Sequence, residues 1–133
     1  MPGTTLDGYQ WNMNDKRPPT YESEVLGVLA YEFPTSNKAE SETKIKGRLK
    51  RKKLGAYDPG RIGILRQLKD DLQREIGRFD KSVYFTGRHG HYCDLRDFDV
   101  PRLTAEMTAR YPQIPKAEIG HFVPFCVFNY YLR

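Results

Sequence analysis

The sequence predicts an α+β fold built as a single small domain, with elements in the order β-α-β-β-α-β. Three features carry this prediction. A helix with a capped start and one apolar stripe occupies the middle of the chain. Two nearly continuous apolar runs of strand character lie towards either end, and a glycine-bounded pair of short β-rich runs precedes a second capped helix. The order matches a split βαβ or ferredoxin-like arrangement. An irregular extension over residues 1–22 precedes the α+β domain of residues 23–133, which carries a basic segment at 44–53.

The elements follow in chain order. Pro2, Gly3, Gly8, Pro18 and Pro19 break any helix or strand period before Tyr21, so this stretch reads as an extension. Between Glu24 and Phe33 the residues Val25, Leu26, Val28, Leu29, Tyr31 and Phe33 form a run of strand length, expected to be covered on both faces. Pro34 to Thr43 is polar and turn-like, and Lys44 to Lys53 reads as a mobile loop or the end of an edge strand. Asp58 as N-cap and Pro59 at the first helical position open a helix to about Arg78, with Leu65, Leu68, Leu72 and Ile76 on one stripe. Ser82 to Thr86 and Tyr92 to Leu95, joined through Gly87 to Gly90, read as a hairpin. Asp99 caps a second helix to about Tyr111, ended by Pro112 and Pro115. Ile119 to Leu132, rich in Phe, Val and Tyr, reads as the final strand, with Pro124 at a bulge or its start.

One core is expected at this length. No apolar run is long enough to span a bilayer, and Met1 to Tyr21 resembles neither a signal peptide nor a mitochondrial presequence. Cys93 and Cys126 are expected to be reduced thiols, and the chain is expected to be cytoplasmic or nuclear. The net charge of +5 is unevenly distributed, at −4 over residues 1–43, +7 over 44–53 and +2 over 54–133.

That concentration makes Lys44, Lys46, Arg48, Lys50, Arg51, Lys52 and Lys53 the leading functional candidates. Clustered cations neutralise phosphates and release counterions, which gives salt-sensitive, sequence-tolerant binding to nucleic acid or another polyanion. Arg88 and His91, with His89 in the same glycine-flanked turn, offer donors to a further phosphate, and Trp11 or Tyr57 are candidates to stack on bases. The expected function is that of a non-enzymatic basic binding module, such as a small viral or ribonucleoprotein component, needing no cofactor. Lys50-Arg51-Lys52-Lys53 also resembles a nuclear-localisation signal.

Two resemblances supply alternatives. Pro18-Pro19-Thr20-Tyr21 resembles the PPxY motif taken up by WW domains. Ahead of a basic domain it is similar to the arrangement in viral matrix proteins, which implies an adaptor that recruits a WW-domain protein through Pro18, Pro19 and Tyr21. Tyr84-Phe85-Thr86-Gly87-Arg88 followed by Asp97-Phe98-Asp99 loosely resembles the minimal nucleotidyltransferases. That resemblance implies a Mg²⁺-dependent enzyme with Asp97 and Asp99 as metal ligands and Glu118 as the nearest third acid, although Arg88 stands where that family has Ser. His89, His91 and Cys93 alternate, and with His121 or Cys126 they have the ligand types of a zinc site. Cys93 beside these histidines is also a candidate nucleophile.

Overall fold

A computed structural model describes residues 17–132 and the backbone of residues 4–6 and 9–11. The fold is all-helical, which corrects the α+β expectation. Among the described residues five α-helices follow one another: α1 (Tyr21–Leu29), α2 (Lys38–Arg51), α3 (Pro59–Ile76), α4 (Val100–Arg110) and α5 (Lys116–Val127). The strands among the described residues are β1 (Thr4–Leu6) and β2 (Tyr9–Trp11), three residues each and paired antiparallel.

Each misread segment has a physical reason. The apolar run at 24–33 becomes α1 because Thr20 is an N-cap: its Oγ accepts from Ser23 N at 3.0 Å, and the Ser23 Oγ accepts in return from Thr20 N at 2.9 Å. Tyr21, Val25 and Val28 then fall at i, i+4 and i+7 and are buried together with Leu26 and Leu29. The final apolar run becomes α5 with Ile119, Phe122, Val123, Cys126 and Val127 buried at helical spacing. Pro124 sits inside that helix, four residues after Gly120, and a π turn, Phe128–Leu132, continues it. The basic segment is helical as well, since Ser41, Ile45 and Leu49 recur every fourth residue and are the buried positions of α2. The expected hairpin is replaced by one antiparallel bridge between Phe85 and Phe98, flanked by Thr86 N to Asp97 O and Asp99 N to Tyr84 O, both 2.7 Å.

Two helices lie close to where the sequence placed them. Asp58 Oδ1 accepts from Gly60 N at 3.0 Å at the head of α3. That helix ends before Gly77, where a side chain would meet the Gln73 carbonyl at 2.8 Å. Asp99 Oδ1 accepts from Arg102 N at 3.1 Å at the head of α4. Asp99→Asn is expected to leave thermal stability nearly unchanged and Asp99→Ala to cost about 1 kcal/mol, measurable by calorimetry.

The chain divides into two compact units, Pro18–Asp70 and Asp71–Arg133, the second including the chain before Pro18. In the first, α1 packs on α2. The Tyr21 hydroxyl donates to Ala56 O at 3.2 Å and accepts from Asp58 N at 3.0 Å. The buried Glu32 receives Arg66 Nε at 2.8 Å, while Lys69 Nζ, also buried, donates to the Glu32 carbonyl at 2.9 Å and pairs with Asp70 at 2.7 Å. In the second unit α4 packs on α5.

Burial pushes the Glu32 carboxyl up, but hydrogen bonds from Arg66 and Ser41 and the charges of Arg66 and Lys69 outweigh it and hold the group below its ordinary 4.5. A carboxylate lowered in this way contributes stability that is complete above its unfolded value and is lost as the pH falls through the lowered one. Thermal midpoints followed by circular dichroism are expected to be level down to about pH 5 and to fall below about pH 4. Glu32→Gln is expected to flatten that acid limb and to lower the midpoint at neutral pH, where Arg66 and Lys69 lose their shared partner.

Candidate polyanion interface

A helix disperses its side chains at about 100° per residue, so the basic block does not act as one patch. Arg48 lies beside the buried Ile45 and Leu49, and with the capping Lys52 it turns towards α1, at 3.8 and 3.4 Å from the Glu24 carboxylate. Lys44, Lys46, Lys50 and Arg51 occupy the exposed arc of α2, and Lys53 follows it with φ of 54°. Among the described residues Lys44, Lys50, Arg51 and Lys53 form no ion pair. Lys46 instead holds its ammonium 4.9 Å from the ring centre of Tyr57. The large exposed hydrophobic residues among those described, Tyr31, Phe33, Phe79, Val83 and Tyr92, all lie outside α2.

The contrast with other cations of this unit is chemical. Arg61 reaches Glu22 at 2.5 Å and stacks 3.8 Å over the Tyr21 ring. Arg66 bridges Glu32 and Glu42, each at 2.8 Å. These guanidiniums are engaged internally and hold the fold, whereas the cations on the outer arc of α2 hold no carboxylate among the described residues. Two of its members, Lys50 and Arg51, and the Lys53 that follows lie at or just beyond the helix C-terminus, where the macrodipole favours positive charge.

The remaining candidates fall elsewhere. Pro18 and Pro19 are exposed, but Tyr21, the residue a WW groove would take, is 5% exposed as the first residue of α1. The Trp11 side chain lies outside the described residues. Arg88 and His91 belong to the other unit: Arg88 donates to His91 O at 2.9 Å and stands 3.7 Å from Asp97 Oδ2.

Asp97 is fully buried and is surrounded by donors. His89 N and Nδ1 reach its Oδ1 at 2.9 and 3.0 Å, while Asp94 N and the Tyr131 hydroxyl reach Oδ2 at 3.1 and 2.5 Å. Burial raises its pKa, but the bonds from Tyr131, His89 and the backbone prevail and keep it lowered. Burial together with this carboxylate raises the Tyr131 phenol above its ordinary 10.0. The carboxylate therefore organises the segment 88–98, and Asp99 caps α4. Glu118 is bonded to Arg17 at 3.4 Å. Among the described residues no group of three or more His, Cys, Asp or Glu side chains could hold a metal ion, whether around Asp97 and Asp99 or around His89, His91 and Cys93. The Cys93 thiol is exposed and the Cys126 thiol is buried. No helix among the described residues is long and apolar enough to cross a membrane.

Sequence reasoning missed the Asp97 hub. Tyr131 is thirty-four residues away from it, and no local pattern links the two. The chain matches no protein-family model, no curated protein and no solved structure.

Proposed function

We propose that this protein is a non-enzymatic binder of phosphate-rich polyanions, acting through the outer arc of α2. The observation that carries this proposal is the division of the basic block into cations bound to Glu24 and cations without a carboxylate partner among the described residues. Lysines and arginines left uncompensated on one helix face keep a positive field that attracts a polyanion and gain free energy by releasing its counterions. Nucleic acid is favoured over a lipid surface. An interfacial helix needs apolar side chains to bury in the acyl boundary, and the exposed arc of α2 carries none of the large exposed hydrophobics of the described residues.

The test is titration of a labelled random-sequence duplex at increasing salt. Five cations, Lys44, Lys46, Lys50, Arg51 and Lys53, correspond to a log–log slope of about −4.5. A slope near zero, or the absence of binding at about 50 mM salt, would remove the proposal.

A further inference from the structure

Gly47 lies in the middle of the exposed arc, with no internal reason to be glycine. A Cβ placed there meets nothing within 4 Å, and its φ is not positive. Glycine inside a helix is costly relative to alanine because it loses more backbone freedom on folding, so a glycine without a steric neighbour leaves that cost unexplained within the chain. At about 100° per residue, Lys46 and Lys50 fall on one side of Gly47, and Lys44 and Arg51 fall on the other. Gly47 is a single bare position between two pairs of cations without carboxylate partners among the described residues, with exposed Thr43 one turn before it. Glu40, one turn ahead of Lys44, forms no ion pair with it.

We infer that α2 enters the major groove of double-helical DNA with Gly47 towards the groove and the two cation pairs reaching phosphates on opposite strands; this rests on the polyanion-binding role above. The B-form major groove, about 12 Å wide, admits an α-helix, while the major groove of an RNA duplex is too narrow for side chains to read. A single strand offers one phosphate row rather than two, and its binding sites rely on aromatic platforms. The exposed arc of α2 has no aromatic residue of its own, and the Tyr57 ring beside it is already faced by the Lys46 ammonium. Removing the side chain at the centre lets the helix axis approach the groove, so cations on both flanks reach phosphate together.

The experiment compares the full chain with Gly47→Ala and Gly47→Leu, measuring thermal unfolding and binding to a duplex DNA, a duplex RNA of the same sequence, the single strand, and vesicles containing anionic phospholipid. Gly47→Ala is expected to unfold a few degrees higher than the wild type, through helix propensity. It is expected to bind duplex DNA about threefold more weakly, and Gly47→Leu about tenfold, close to the effect of leaving one phosphate unneutralised. Duplex DNA is expected to bind more tightly than the other three probes. Duplex DNA affinities of both variants within about twofold of wild type, or equal or tighter binding to RNA duplex, single strand or vesicle, would overturn the inference. A variant with Lys44, Lys50, Arg51 and Lys53 all changed to Gln separates the two levels. If it loses binding while the Gly47 variants keep theirs, only the groove geometry fails; if it binds like wild type, the polyanion-binding role fails as well.

Discussion

Asp97→Ala is expected to lower the thermal midpoint by about 10 °C or more. The substitution leaves the backbone N–H groups of His89 and Asp94 and the Tyr131 hydroxyl facing a void where a fully buried carboxylate had accepted all of them. Removing one member of a buried charged network costs about 3 kcal/mol, because the donors left behind have lost their solvation and gained nothing in return. For a chain of this size that corresponds to a shift of several degrees per kcal/mol. The damage extends into the aromatic cluster, since Tyr131 packs at 4.9 Å from Phe98, 6.0 Å from Phe79 and 6.3 Å from Phe85. Asp97→Asn, which keeps one acceptor oxygen, is expected to fall between the alanine variant and the wild type. A spectroscopic signature accompanies the change: with the carboxylate gone, the Tyr131 phenol returns towards its ordinary value, which appears as a difference in tyrosine absorbance titration between variant and wild type. An unchanged midpoint with an unchanged titration would contradict the hub.

The second large effect is on binding. Changing Lys44, Lys50, Arg51 and Lys53 to Gln removes four positive charges while keeping helix propensity close to that of lysine and arginine. None of the four holds a carboxylate among the described residues, so thermal stability is expected to stay within about 1 kcal/mol of wild type. Every phosphate that goes unneutralised reduces the log–log salt slope by about 0.9, so the slope is expected to collapse to about −1 and the affinity at about 0.1 M salt to fall by at least a hundredfold. Stability and binding are thus expected to separate in opposite directions in the two variants. Asp97→Ala unfolds more easily, and the quadruple variant folds normally but does not hold a polyanion.

The parts of the fold that are legible in the sequence are those with punctuation at their ends. Asp58-Pro59 and Asp99 are unambiguous helix starts, and the helices behind them carry one continuous apolar stripe each. The runs at 24–33 and 119–132 mislead because Val, Phe and Tyr raise β character in short apolar stretches, where a helix buried over much of its surface and a strand covered on both faces give the same hydrophobic pattern. The deciding signals are small: the Thr20 and Ser23 capping pair for α1, and the spacing of Ile119, Phe122, Val123, Cys126 and Val127 for α5. In α2, Ile45 and Leu49 are too few to reveal a period among so many cations, which conceals both the helix and the sorting of its charges. The candidate residues of the basic block are legible from composition alone. Their division into inward and outward sets is not, because it depends on Glu24 from another helix.

If the outer face of α2 binds the polyanion, where the charges stand matters more than how many there are. Two variants of equal charge separate position from number, one with Arg48 and Lys52 changed to Gln and the other with Lys50 and Arg51 changed to Gln, each titrated against the same duplex DNA across a salt series. The first is expected to keep the wild-type salt slope and an affinity within a fewfold of wild type, and the second to lose about two units of slope and at least about tenfold in affinity. Equal losses in the two variants, or the larger loss in the Arg48 and Lys52 variant, would contradict it.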